Sequence, residues 1–348
     1  MSLSYYSQDL HGPFETFSLG DFELEQGGKI RNLELAYATF GQLSTKKDNA
    51  ILFPTWYSGS SKVLEQVYLG PGRALDPEKY FIILVNQIGN GLSTSPSNAR
   101  PPYDAARFPA VSIGDDVRGQ HKFITDKFGL SELALVLGFS MGAQQTYEWA
   151  IRYPDFVKRA APIAGTAKGT PYTRALVDNF IEAITSDPAF DGGWYKEARD
   201  VHRGLRRHAG IFILAGHTPV FFDQGLWKKI GFSSLEDFVT GYAEAHFVPQ
   251  DPNNLILLLT KWRDYDAGKS VCRDLAGALA QIKAKTFVIA IEEDGYFSRA
   301  AIAHEQSLIP NSALKTVSSS WGHLALFGAD QAFYESIDTT LKELLGGS

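Results

Sequence analysis

The stretch Leu133-Ala134-Leu135-Val136-Leu137-Gly138-Phe139-Ser140-Met141-Gly142-Ala143-Gln144-Gln145-Thr146-Tyr147-Glu148-Trp149-Ala150-Ile151-Arg152-Tyr153-Pro154 decides how this chain is read. Its first part, Leu133 to Leu137, is a continuous apolar run of the kind that suits a strand buried on both faces of a sheet. Its last part, from about Ala143 to Arg152, forms a helix and stops at Tyr153-Pro154. Proline cannot continue a helix and pushes its predecessor out of the α region. Between the two stands Gly138-Phe139-Ser140-Met141-Gly142, a G-x-S-x-G pattern. The pentapeptide alone is weak; its position between strand and helix gives it meaning. The turn must be tight, so glycines flank it, and the serine is held above the sheet edge. Its hydroxyl then lies near the positive N-terminal end of the following helix. The Met141 N–H is placed to donate to an oxyanion. We read Ser140 as a nucleophile rather than as part of a structural glycine turn.

Further out, apolar runs alternate with helical ones. Phe14 to Glu25 and Leu33 to Phe40 read as strands joined through Gly27-Gly28. Ala50 to Pro54, Phe81 to Val85, Val157 to Ile163, Thr286 to Ile291 and Ala313 to Ser318 are further strand candidates, and Asp330 to Leu345 a closing helix. This alternation predicts an α/β chain with a mainly parallel, eight-stranded sheet and helices on both faces. From about Thr166 to Asp266 the pattern changes. Tyr172 to Ser186 carries Val177, Ile181 and Ile184 at helical spacing, and Leu235 to Ala245 and Leu255 to Trp262 look similar. We expect residues 1–165 and 267–348 to form the sheet domain and 166–266 an inserted helical cap. Asn90 to Pro102, rich in Ser, Asn and Pro, reads as a loop.

A serine hydroxyl needs a base. Nucleophile, acid and histidine are expected in that chain order. Of eight histidines only His304 and His323 lie beyond an acid-bearing strand. His304 falls in a helical stretch and reads as a surface residue. His323 lies in the loop after Ala313 to Ser318, beyond a strand's carboxyl end, where a base belongs. The acid should end the preceding strand, where Glu292-Glu293-Asp294-Gly295 offers three carboxylates. Asp294, beside a turn-permitting glycine, is the choice and Glu293 the alternative; the two glutamates otherwise read as a solvated acidic loop. The second oxyanion donor is expected in Thr55-Trp56-Tyr57-Ser58, with the Tyr57 N–H first and Trp56 next.

Other chemistries fit less well. Gly89-Asn90-Gly91 has Thr94 where a third glycine should stand, so a dinucleotide fingerprint fails. His202 and His208 lack partners at metal spacing and sit among Arg203, Arg206 and Arg207, which reads as a solvated cap face. No metal or cofactor is expected. The net charge of -6 argues against a nucleic-acid-binding surface. The lone cysteine, Cys272, cannot form an intrachain disulfide, so nothing requires an oxidising compartment. The first residues show no signal-peptide pattern, and no apolar stretch is long enough to span a bilayer. A cytoplasmic location is the default.

These motifs together resemble one family, the homoserine O-acetyltransferase-like branch of the α/β-hydrolases. Phe108-Pro109-Ala110-Val111 with Asp115-Asp116-Val117-Arg118 is similar to its segment before the elbow helix. The elbow with Gln144, Glu148-Trp149-Ala150 and Tyr153-Pro154 looks like its nucleophile region. Ala183-Ile184, Asp187-Pro188 and Gly192-Gly193-Trp194-Tyr195 look like the start of its cap. Asp294, two residues before Tyr296-Phe297, and Gly322-His323 match its acid and base motifs. The resemblance implies an α/β-hydrolase fold and a Ser140–His323–Asp294 triad. It also departs from true homoserine acyltransferases. Leu324 stands where they carry an aspartate after the histidine, and Ala209 stands at the apparent place of a carboxylate-binding arginine. The branch contains esterases lacking both features, and this chain resembles those more. The expectation is hydrolysis of small, mostly uncharged esters, with acyl-CoA-dependent transfer to a small alcohol as the alternative. A non-catalytic binding role would leave the candidate triad without a purpose. Apolar cap residues, Phe212, Ile213, Leu214, Phe221 and Phe222, are candidates for a pocket wall or cap core. A cap bearing Phe and Trp could also support a homodimer.

Overall fold

All residues of β3 (Ala50–Pro54), β4 (Phe81–Val85) and β5 (Leu135–Phe139) are buried. Successive strand side chains point to opposite faces, so both faces of the sheet are covered at its centre. That is why these strands are legible as unbroken apolar runs. The computed structural model, which describes residues 5–346, adds β1 (Glu15–Glu23), β2 (Lys29–Phe40), β6 (Arg159–Ile163), β7 (Lys285–Ile291) and β8 (Ser312–Val317). The eight strands lie in the order β1-β2-β4-β3-β5-β6-β7-β8. β2 runs antiparallel to both neighbours, and the remaining pairs are parallel. At the edges burial is partial, and β1 keeps only Leu19 and Phe22 inside. The β1–β2 turn closes through Gly27 and Gly28, both at positive φ.

Two boundaries near the elbow differ from the sequence reading. The strand expected at Leu133 to Leu137 is Leu135–Phe139, and the helix expected from Ala143 begins at Met141. Thus no spacer separates strand from helix except Ser140 itself, which makes the turn sharper than the apolar pattern implied. Leu133 only bridges to Val157.

Between β6 and β7 the described chain contains helices and turns and no strand of the sheet. The longest helices are Pro171–Thr185, His202–Gly216 and Pro252–Asp264. Threonine or aspartate N-caps with proline in the first turn start the first and third of them. The segment leaves and returns at one place. The Ala267 N–H donates to Ala167 O (3.0 Å), the Gly169 N–H to Tyr265 O (3.1 Å), and Lys168 pairs with Asp266 (2.9 Å). The single helix expected over Leu235 to Ala245 is instead α-helical at Leu235–Phe238, a π turn at Val239–Glu244, and α-helical again at Ala245–Phe247. Phe238 and Phe247 are both fully buried. An α-helix turns about 100° per residue, so positions nine apart would face opposite ways. The wider π turn reduces that rotation and lets both rings face inward.

Candidate active site

Ser140 sits at the carboxyl end of β5 with φ 55° and ψ -120°, a conformation that disfavours a side chain. The surroundings enforce it. The Ser140 N–H donates to Ile163 O of β6 at 2.8 Å. A Cβ on Gly138 would stand 2.2 Å from Gly142 O, and one on Gly142 would press on Pro54 O at 3.0 Å. Both glycines are therefore dictated by close backbone approach. The helix Met141–Arg152 starts directly beneath the hydroxyl, so its partial positive end faces the serine.

The structure brings Ser140, His323 and Asp294 together from three separate loops. His323 Nε2 lies 3.0 Å from Ser140 Oγ, and His323 Nδ1 lies 2.8 Å from Asp294 Oδ2. A carboxylate facing Nδ1 holds the proton there, which leaves the Nε2 lone pair for the serine proton. Asp294 Oδ1 accepts from the Tyr296 and Phe297 N–H groups at 2.7 and 2.9 Å, so both carboxylate oxygens are fixed. Its side chain is wholly buried.

The neighbouring carboxylates do other work. Glu292 pairs with Arg299. Glu293 is not merely part of a solvated acidic loop: it accepts from the Ser318 hydroxyl and, at 2.8 Å, from the Ser319 N–H. It thereby braces the loop that carries His323. Ser319 Oγ donates in turn to Asp330 at 2.6 Å. His304 is exposed on the helix Arg299–Gln306, away from this cluster.

Tyr57 follows β3 and lines the chamber over Ser140. Among the described residues neither the Tyr57 nor the Met141 N–H donates to another protein group. Trp56 packs its ring on Phe139 and Phe327. Tyr57 is walled by Phe212, Phe247 and Trp262, and its hydroxyl meets His208 Nε2 at 2.9 Å.

That contact corrects the reading of His208 as part of a solvated cap face. Arg203, Arg206 and Arg207 are exposed, but His208 points the other way and is fully buried. Each residue of a helix is rotated by about 100° from the one before, so a residue one or two positions from a charge can face the opposite side. Burial pushes its imidazole down to about 3. His208 Nδ1 lies 3.4 Å from Phe180 O, which can only accept; Nε2 is therefore free to accept from the Tyr57 hydroxyl. His217 and His246 are likewise driven down by burial, to about 3 and about 4. His217 Nδ1 meets Trp321 O at 3.0 Å, tying the helical segment to the His323 loop. Periodicity gave no signal for these tertiary contacts.

The space over Ser140 is narrow. Ser140 and His323 share it with Trp56, Tyr57, Phe212, Trp262, Tyr296, Leu326 and Phe327; no Asp, Glu, Lys or Arg lines it. Of the apolar cap candidates, Phe212 is a wall. Ile213 lines an adjoining cavity of about 230 Å³ that shares Phe212 and Phe327 with the first. Phe221 and Phe222 belong to an aromatic cluster with His217 and Trp227, and Leu214 is exposed.

Residues 51–330 match the family description of the alpha/beta hydrolase fold. The chain belongs to the α/β-hydrolase family. It is 50% identical to an ethyl acetate hydrolase of Pseudomonas veronii over 98% of both chains. It superposes on the crystal structure of an acetylester hydrolase from Corynebacterium glutamicum with TM-score 0.96, 46% identity and 98% of both chains covered. It is 31% identical to a homoserine O-acetyltransferase of Methanobrevibacter ruminantium, across 89% of this chain and 69% of that one. The resemblance to the esterase-leaning members of the acetyltransferase-like branch therefore holds. Among the described residues no helix is long and apolar enough to cross a membrane.

Proposed function

We propose that this enzyme hydrolyses small, uncharged carboxylic esters through an acyl-enzyme. Ser140 is the nucleophile, His323 its general base, Asp294 the residue that orients the base, and the Tyr57 and Met141 N–H groups the oxyanion donors. The observation that carries the reading is a hydrogen-bonded Asp294–His323–Ser140 relay opening into a small chamber with no charged wall. Ser140 Oγ attacks the ester carbonyl carbon as His323 Nε2 takes its proton. The carbonyl oxygen becomes an oxyanion held by the two N–H groups. Collapse breaks the C–O bond to the alcohol, which leaves with the proton from His323. Water then repeats the sequence on the acyl-serine and releases the acid.

The helical segment 166–266 serves as the cap over this site, and residues 1–165 and 267–348 form the catalytic domain. The paired strands of chain at Ala167–Gly169 and Tyr265–Ala267 support those limits. An amino-acid acceptor such as homoserine would need partners for its carboxylate and amine. The positions where they were expected hold Leu324 and Ala209, both buried and apolar. The proposed location is the cytoplasm, and a homodimer through the cap is testable by size-exclusion chromatography. The function is tested by offering ethyl acetate in one assay and acetyl-CoA with homoserine in another. Ester hydrolysis with fluorophosphonate labelling at Ser140 is expected. Efficient O-acetylhomoserine formation would overturn the assignment.

A further inference from the structure

The oxyanion loop is held from behind by a buried polar network that the mechanism above does not use. Gln87 follows β4. Its Nε2 donates to Thr55 O at 3.2 Å and to Trp56 O at 3.1 Å, the two carbonyls just before the Tyr57 N–H. Gln145, on the elbow helix, adds a third bond, Nε2 to Thr55 O at 3.0 Å. An amide side chain has two nearly isosteric ends, one donating and one accepting. Turned over, Gln87 would aim its oxygen at two carbonyl oxygens.

Lys261 prevents that. Its ammonium, which can only donate, lies 3.1 Å from Gln87 Oε1. The same Nζ donates to Ile88 O at 2.9 Å and pairs with Asp116 at 2.5 Å. Asp116 also accepts from the Ile88 N–H at 2.8 Å. Lys261 and Asp116 side chains are both wholly buried. A buried ion pair is a poor source of stability compared with apolar packing of equal volume, so its presence calls for a role in orientation. Lys261 comes from the helix Pro252–Asp264, so the cap itself reaches into the catalytic domain to set this glutamine.

We propose that Gln87 and Lys261 are positioning residues for the oxyanion hole: the buried Lys261–Asp116 pair fixes the polarity of the Gln87 amide, and that amide fixes the direction of the Tyr57 N–H. The inference rests on the Tyr57 oxyanion role proposed above. It separates transition-state stabilisation from substrate binding, because Gln87, Lys261 and Asp116 do not line the space over Ser140 and reach it through the carbonyls of Thr55 and Trp56.

The test uses Gln87→Met, which keeps the volume and removes the donors, and Lys261→Met/Asp116→Leu, which removes both charges together and frees the glutamine to turn. Activity on ethyl acetate is normalised to fluorophosphonate-reactive sites. In Gln87→Met, kcat should fall about 10- to 100-fold, somewhat less than loss of an oxyanion donor itself, with KM within about threefold. The Ki of a trifluoromethyl ketone, which forms a tetrahedral oxyanion on serine, should rise by the same factor, while that of a simple alcohol stays put. The paired variant should lose about tenfold in kcat. If either variant folds and keeps kcat per site within twofold of the parent, the positioning role is wrong. Loss of reactive sites with normal kcat per site would mean a purely structural network, also against it. Should one variant not fold, the other decides. Failure of the parent to take fluorophosphonate at Ser140 would instead bring down the serine mechanism beneath.

Discussion

Around Ser140 the backbone makes the geometry; over it, between β6 and β7, side chains do. The elbow is fixed by glycines that cannot carry a Cβ, by φ 55° at Ser140, and by strand hydrogen bonds. The helical segment is fixed by interlocked aromatic rings, the two buried histidines His208 and His217, and a buried lysine. Backbone-made geometry is stiff and tolerates little drift, which suits a nucleophile. Side-chain-made geometry can change by single substitutions without losing the fold, which suits a wall that selects substrates. If that division is right, variants at the sheet edge should destroy turnover, whereas variants in the roof should retune it.

Ser140→Ala carries the largest expected effect. Turnover should fall by about six orders of magnitude if the triad acts as a unit, with little change in melting temperature. A folded Ser140→Ala retaining more than a small fraction of parent kcat would remove the elbow from the chemistry. Asp294→Asn comes next, at about four orders of magnitude, because the imidazole loses its orienting carboxylate. Glu293→Gln is the control one residue away. It weakens only the brace on Ser318 and Ser319, so about a tenfold loss in kcat is expected, on the scale of a charged hydrogen bond. The reverse ranking would exchange the roles of the two carboxylates.

The same division explains what could be read from sequence. β3 and β4 were legible to the residue because strands buried on both faces leave an unbroken apolar run. Ser140, Asp294 and His323, which the structure brings within hydrogen-bonding reach of one another, could be picked out because each follows the carboxyl end of a strand. The roof was not. Two of its long helices, Pro171–Thr185 and Pro252–Asp264, could be found from periodicity, but His202–Gly216 was not, and His208 on it was misplaced, since neighbouring charges do not say which face of a helix is inward. Gln87 and Lys261 gave no signal at all. Their contact joins positions 174 apart in sequence, and only tertiary packing makes it.

Phe327→Ala sharpens the picture at the roof. Phe327 and Phe212 are shared walls of the narrow space over Ser140 and the adjoining cavity of about 230 Å³. Cutting back Phe327 should join them. The ratio of kcat/KM for butyl acetate over ethyl acetate is expected to rise about tenfold, the scale of one or two methylenes in an apolar pocket. An unchanged ratio would mean that chain length is limited elsewhere.

His208→Phe should have the smallest effect on catalysis and the clearest effect on stability. The Tyr57 hydroxyl loses its acceptor, yet the Tyr57 N–H is backbone and stays braced by Gln87 through the carbonyls before it. We expect kcat within about fivefold and a stability loss of about 1–3 kcal/mol near neutral pH from the unpaired buried hydroxyl. The pH dependence follows from the depressed pKa. The folded imidazole titrates near 3, whereas the ordinary value is 6.5. Between those limits the unfolded chain takes up a proton that the folded chain refuses. The contribution is therefore complete above pH 6.5 and is lost as pH falls toward 3. His217 and His246 act in the same direction, while Glu305, raised to about 8 by burial, acts in the opposite one. The total slope thus mixes signs, but the difference between parent and variant isolates His208. Urea unfolding at pH 6.5 and 4.5 should show the parent losing more stability than His208→Phe on acidification, by up to one proton's worth of slope. Equal slopes would mean that His208 is protonated in the folded protein; the Tyr57 hydroxyl could then no longer donate to it, and the roof would not be held as described.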